Sequence, residues 1–406
     1  MSQTIPPPVF DPFAPGFTDD PYPQYAALRT GAPAGRHPLG FFLLTRYEDV
    51  SGLLRASMSV EDRNITDRQL IELREQVYGE EAPRRGGISM LDRDPPDHTR
   101  LRRLVSKAFT PRAVEALRPR ITGLVEDMLD EAGRQGRVDL VDALAFPLPF
   151  AVIGEMLGTP PADHERIRQL SGTVVRSLEP VNDPDMVAAI MAADDELTQI
   201  AAEMIAWKRA HPAGDLLTAL INAEDDGDVL DDDELIAQTL LLYIAGHETT
   251  VNLIAGGTLA LLRRPDQLAL LREQPGLTGN AVEELLRYDS PVQATRRVTL
   301  APATFSGVEI PAGAFVMALL GSANRDESYW GPDAAELRLD RENARQHVSF
   351  GAGPHHCLGA SLARMEASIA IARLTARFPG LALDGDVTWN GRINLRGPAR
   401  LPVALR

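Results

Sequence analysis

The chain has 406 residues, 44% of them hydrophobic, and sets 57 Asp+Glu against 41 Lys+Arg for a net charge of −16. That much apolar material builds a sizeable core and excludes a disordered chain, while the acidic excess repels phosphate backbones and argues against nucleic acid as a partner. One cysteine excludes an intramolecular disulfide and a multi-cysteine metal cluster.

In chain order, the Pro-rich residues 1–16 read as a surface arm with neither the basic start nor the apolar run of an export leader. No run of ~18 apolar residues follows anywhere, so a cytoplasmic protein without membrane contact is expected. Gly40–Tyr47 (GFFLLTRY) reads as a strand. Apolar residues recurring at i, i+3 and i+4 predict helices over about 97–131, 139–158, 184–211, 231–264, 279–288 and 359–378. Breakers separate them at Pro111, Gly133, Gly136, Pro160–Pro161, Pro212–Gly214, Pro275–Gly276 and Pro379–Gly380. Residues 296–320 alternate around Gly307 and Pro311–Gly313 and predict strands, and a short β pair is expected within 387–404. There is no repeat and no linker, so residues 1–406 are expected to form a single, mainly α domain with small β-sheets.

Segment 231–264 stands apart. A helix of ~30 residues spans about 45 Å, the width of a domain. It is apolar nearly all round, so it should pass through the interior, yet Gln238, His247, Glu248, Thr249, Thr250 and Asn252 spoil it as a membrane span. A core helix with polar residues at its middle is a candidate functional element. Within it, Gly246 and the hydroxyls of Thr249 and Thr250 invite a local distortion, with Thr249 bonding back to the Ala245 carbonyl. An acid beside a hydroxyl can relay protons; the plainer alternative is a polar patch packed against a neighbour.

Cys357 lies in SFGAGPHHCLGASLARMEA, among Gly351, Gly353, Pro354 and Gly359. Such a backbone turns tightly and lets something approach closely. The amphipathic helix beginning just after it favours thiolate over thiol. Most lone cysteines are small buried hydrophobes, but the glycines argue otherwise here. His355, His356 and Cys357 are consecutive and cannot converge on one tetrahedral zinc. A cysteine hydrolase with a neighbouring histidine as base stays open. A solitary thiolate is best suited to one open face of a metal such as haem iron. A third feature, Glu284 and Arg287 at i,i+3, is weak alone because such pairs decorate most helices, and Glu283 could reach Arg287 as well.

The three features in this order make the chain resemble a cytochrome P450, a haem-thiolate monooxygenase of the soluble bacterial type. Phe350, Gly353, Cys357 and Gly359 match the family's cysteine-loop pattern, 245–250 its oxygen-activating helix, and Glu284–Arg287 its Glu-x-x-Arg pair. The resemblance implies the P450 fold, with the long helix crossing a haem b whose axial ligand is the Cys357 thiolate. It implies proton delivery by Glu248 and Thr249, and a structural role for Glu284 and Arg287. His98, Arg102, Arg297 (or its neighbour Arg296) and His355 are the implied partners of the haem carboxylates. A pocket is expected from 58–92, 165–200, Leu241–Ala245, Val292, Gln293, Ala294, Ile393 and Asn394. Its largely apolar lining suits a bulky lipophilic substrate, hydroxylated or epoxidised with one atom of O2. The likeness is strongest to enzymes tailoring polyketides; steroids, terpenoids and xenobiotics stay open, as does a haem-thiolate sensor without turnover. Electrons would come from NAD(P)H through a ferredoxin reductase and a ferredoxin. Seven Arg/Lys and one Glu over 98–120 suggest a docking patch for that acidic partner. A monomer is expected.

Overall fold

The computed structural model describes residues 7–78, 89–107, 109–159, 164–181, 183–225 and 227–405. Parts of several sequence expectations lie outside them: 1–6 of the arm, 79–88 and 182 of the pocket segments, Ala108 of the basic run, and the Pro160–Pro161 breaker. The fold is mainly α with small sheets. No helix among the described residues is long and apolar enough to cross a membrane. Contacts divide the chain into two compact units.

The first unit comprises Met1–Glu72, Gly256–Cys357 and Val387–Ala399. Its four-stranded sheet runs Ala34–Arg36, Phe42–Leu44, Phe315–Leu319, Ala294–Val298, the middle pair parallel and the outer pairs antiparallel. Phe42–Leu44 is buried throughout, which is why that stretch reads as an unbroken apolar run. Ala303–Phe305 and Val308–Ile310 form a hairpin whose turn residues, Ser306 and Gly307, both have positive φ, as a two-residue turn matched to strand twist requires. The Asp49 carboxylate accepts from the Ser306 backbone and side chain and fixes that strained residue. Leu44, Val50, Leu53, Leu54, Val316 and Ala318 form the heart of this unit's core. The arm packs too: Phe10, Phe17 and Tyr25 are buried edge to face. Just after the arm, Arg396 ties the chain down by donating to the Thr18 and Asp19 carbonyls and to Asp289.

The second unit comprises Leu73–Ala255, Leu358–Asp386 and Arg400–Arg406. The helix expected over 97–131 is three, Asp97–Ser106, Pro111–Ala116 and Arg118–Gln135. Thr110 caps the second, accepting from Ala113 N–H at 3.2 Å, and prolines at the start of the second and third cannot continue a preceding turn. The expected 139–158 helix is also divided, into strand Arg137–Asp139, a π-turn at Val141–Ala145 and helix Pro147–Leu157. Pro184–Ala210 and Ala360–Arg377 fall within a residue or so of expectation. The long helix is Asp232–Arg263, 32 residues, opened by three acids and closed by an arginine as the helix dipole favours. It starts in this unit, and its turns from Gly256 belong to the first. Residues 250–261 are buried on every side.

Candidate haem and oxygen-activation site

The cysteine loop is built by backbone constraints. Gly351 and Gly353 both have φ of 68°, a region that penalises any Cβ. A Cβ on Gly353 would also stand 2.4 Å from the Leu54 carbonyl of helix Tyr47–Arg55. Gly351 N–H donates to Val348 O at 2.8 Å, His356 N–H to Gly353 O at 3.1 Å, and Cys357 N–H to Phe350 O at 2.8 Å. The result is a closed turn carrying an exposed Cys357 thiol at its end. His355 is half-buried in the same loop.

Glu284 and Arg287 are buried completely and joined twice, Nε to Oε2 and Nη2 to Oε1, each at 2.7 Å. Glu283 takes no part; it accepts from His347 instead. The ambiguity between the two glutamates is thus resolved for Glu284. Arg287 also donates to the carbonyls of Asn324, Ala334 and Glu336, while Glu284 also accepts from Arg338 N–H and from Arg341 Nε at 3.2 Å. Arg341, itself buried, is a third member that sequence reasoning missed. Nothing local marks it, since its partner lies 57 positions away.

In the long helix, Thr249 Oγ donates to the Ala245 carbonyl at 3.2 Å as expected, and Thr250 Oγ to the Gly246 carbonyl at 3.4 Å. The helix runs from Asp232 to Arg263 with no break at the place of the expected distortion. Gly246 has a packing reason instead, because a Cβ there would press within 3.0 Å of Ile153 on helix Pro147–Leu157. Ala245 is exposed and Thr249 and Glu248 partly so, whereas His247 and Thr250 face inward. His247 sits among Phe146, Phe150 and Tyr243 and engages the Tyr243 carbonyl at 2.7 Å.

His98 and Arg102 share one face of helix Asp97–Ser106, the first buried and the second half-buried. On strand Ala294–Val298, Arg296 is held by Asp62, while Arg297 is buried and turns Nη1 onto the Arg296 carbonyl and Thr295 hydroxyl. Of the two, Arg297 is the buried one and Arg296 the more exposed. Val292 bridges Leu395, and the Asn394 carbonyl and side chain accept from Gln293 and Ala294 N–H, so these expected pocket residues do come together. Gln293 itself is buried, donates to the Ser290 carbonyl and lies against Gly321. Leu241 is half-buried on the long helix.

The donor set suits haem. Among the described residues no three His, Cys, Asp or Glu side chains are arranged to hold a metal ion. One accessible thiol on a rigid Gly-rich turn fits a metal whose other ligands come from a macrocycle.

Comparison with known proteins agrees. Residues 271–387 match the family model for cytochrome P450. The chain is 43% identical over 406 residues to cytochrome P450 107B1 of Saccharopolyspora erythraea, covering 96% of each. It is 41% identical over 404 residues to the vitamin D(3) 25-hydroxylase of Pseudonocardia autotrophica, covering 97% of this chain and 96% of that one. The solved structure of PksS, the cytochrome P450 of the bacillaene polyketide synthase of Bacillus subtilis, matches with a TM-score of 0.87 at 35% identity, covering 98% of this chain and 100% of that one. A cysteine turn followed by its helix, a buried Glu-x-x-Arg staple and these full-length likenesses have one reading: the chain belongs to the cytochrome P450 family of haem-dependent monooxygenases.

Proposed function

We propose that this monooxygenase inserts one oxygen atom of O2 into a bulky lipophilic molecule of the polyketide or macrolide kind, by hydroxylation or epoxidation, and that the Cys357 thiolate would hold the haem iron. The observation that carries the reading is the exposed Cys357 thiol on a turn that tolerates only glycine at 351 and 353. Phe350, Gly353 and Gly359 frame the ligand, and His98, Arg102, Arg297 and His355 are the cations suited to the haem carboxylates. Bound haem supplies the activation of dioxygen. The chain's own part is to deliver protons and exclude water. Thr249 Oγ, tied to the Ala245 carbonyl, holds a proton where the helix exposes it, and the neighbouring Glu248 carboxyl replenishes it.

The substrate class is supported by the apolar residues Val292, Ala294 and Ile393, and by the polyketide synthase association of PksS. The vitamin D(3) relative supports a second reading, a sterol-like substrate. A panel of macrolides, linear polyketides and secosteroids, titrated against the purified protein while its Soret band is followed, separates the two. A blue shift with macrolides alone supports the first; a shift confined to secosteroids overturns it.

Electrons have to come from outside, since a single cysteine cannot build an iron–sulfur cluster and no flavin fingerprint is present. A ferredoxin fed from NAD(P)H through its reductase fills that role. Its footing on 98–120 is narrower than the sequence suggests. Arg100 is paired with Glu234 and Asp228, Arg118 with Glu115 and Arg120 with Glu155. Lys107 donates to the Glu224 carbonyl. Exposed Arg103, Lys107 and Arg112 are the cations on which such docking would rest.

A further inference from the structure

The Glu-x-x-Arg helix carries two consecutive buried glutamates, and the staple uses only one of them. Glu283 is 2% exposed. Its Oε2 lies 3.0 Å from His347 Nε2, and its Oε1 is 3.6 Å from Arg345 Nε at the surface. The tautomer of His347 follows from its other bond. Ser349 N–H donates to Nδ1 at 3.1 Å, so Nδ1 carries the lone pair and Nε2 the proton, which is donated to Glu283. His347 is therefore neutral and spans from helix Thr278–Tyr288 to the backbone just ahead of the cysteine turn.

That approach segment is fixed at each residue. Val348 N–H donates to Asn324 Oδ1 at 2.8 Å. Ser349 Oγ donates to the Leu286 carbonyl at 2.7 Å, accepts from Asn324 Nδ2 at 2.8 Å and meets Ser290 Oγ at 3.0 Å. The His347 ring packs against Phe350 at 5.6 Å between centroids, and the Phe350 carbonyl accepts the Cys357 N–H. A path of direct contacts thus leads from Glu283 through His347 and Phe350 to the backbone of Cys357, all within the first unit.

We infer that Glu283 and His347 are positioning residues for the thiolate: the neutral imidazole, anchored by Glu283, sets where Phe350 and the Cys357 N–H sit. The inference rests on the reading of Cys357 as the axial ligand. It assigns the two glutamates different tasks, Glu284 holding the 324–341 meander through two arginines and Glu283 holding the cysteine turn through a histidine. The operative link is a hydrogen bond and not a charge, since an uncharged oxygen at position 283 accepts from Nε2 equally well.

The test uses the haem-loaded protein and follows its reduced CO complex, whose red-shifted Soret band reports thiolate ligation. The rate at which that band is lost on mild warming is compared across variants, beside the global unfolding temperature. His347→Leu should lose the band on the order of tenfold faster, the weight of one buried hydrogen bond. His347→Gln, whose amide N–H can still reach Glu283, and Glu283→Gln should stay near wild type. His347→Asn, long enough for Ser349 N–H but not for Glu283, should behave as leucine does. If His347→Leu keeps the band as well as wild type, or loses global stability without changing the rate of band loss, the inference is overturned. Should the leucine variant not fold, the comparison of Gln with Asn decides: equal rates overturn it. A wild-type protein that takes up haem but never shows the band would instead overturn the assignment of Cys357.

Discussion

At the scale of single residues, the register of the long helix separates two adjacent threonines. Thr249 is partly exposed beside exposed Ala245, while Thr250 is buried and bonds inward to Gly246. Thr249→Ala should bind substrate and consume NAD(P)H through its partners yet make less product per NAD(P)H, with hydrogen peroxide making up the balance. Loss of a positioned proton-transfer group costs about 10²–10⁴-fold in the step it serves. Glu248→Gln should slow oxygen consumption itself. Thr250→Ala should stay coupled; if it uncouples and Thr249→Ala does not, the proton route runs through the other hydroxyl. Glu284→Ala belongs here too. It would leave Arg287, wholly buried, facing carbonyls with no counter-charge, a cost of about 3–5 kcal/mol. Calorimetry should show a lower unfolding temperature and poor haem retention, and an unchanged transition would contradict the staple.

At the scale of elements, the junction after helix Pro184–Ala210 shows how one carboxylate joins two helices. Asp215 accepts from Thr218 N–H at 2.9 Å, capping helix Leu216–Ile221, and pairs with buried Lys208 at 2.6 Å. Gly158, with φ of 66°, leaves the space that Asp215 fills, since a Cβ there would overlap the carboxylate. Burial raises the Asp215 pKa, but the bonds from Lys208 and Thr218 outweigh it and hold the carboxyl below its ordinary value. A pKa lowered by folding means that this stabilisation is present above the unfolded value of about 3.9 and is lost as pH falls through the folded one. Asp215→Asn should therefore be destabilised at neutral pH, and the gap to wild type should close as the pH is taken below about 4. Denaturant melts at several pH values check this; a gap that widens in acid would have the wrong sign. The cysteine turn is the other decisive element. Gly353→Ala meets both a positive φ, about 1–2 kcal/mol, and the Leu54 carbonyl, which is backbone and cannot swing away. It should fold with the thiolate-type CO band diminished or absent.

At the scale of the whole chain, electrostatics bears on the proposed docking of a ferredoxin. A net charge of −16 opposes an acidic partner, so docking of one would rest on a local excess of exposed cations. Reversing Arg103 and Lys107 to Glu should slow ferredoxin-supported turnover and flatten its dependence on ionic strength, because exposed charges act through screened long-range attraction. Turnover supported by hydrogen peroxide, which needs no docking, should hardly change. Equal loss with both oxidant systems would mean that these residues serve the fold.

Much of this protein is written locally. The helices at 184–210, 232–263, 278–288 and 360–377 follow from apolar periodicity ended by nearby Pro and Gly, so the sequence alone determined them within a residue or so. The cysteine turn was equally legible, because glycines at positive φ are a property of consecutive residues. Capping by Thr110 and prolines 111 and 119 divided what periodicity joined, since an apolar stripe continues across a break that the backbone cannot. What lay beyond the sequence was pairing at a distance. Only the tertiary structure brought Arg341 to Glu284, His347 to Glu283 and Asp62 to Arg296, and turned a basic run into a set of ion pairs with Glu155, Asp228 and Glu234. A side chain's charge is fixed by its type, but the partner that neutralises or orients it is chosen by the fold, tens to hundreds of residues away.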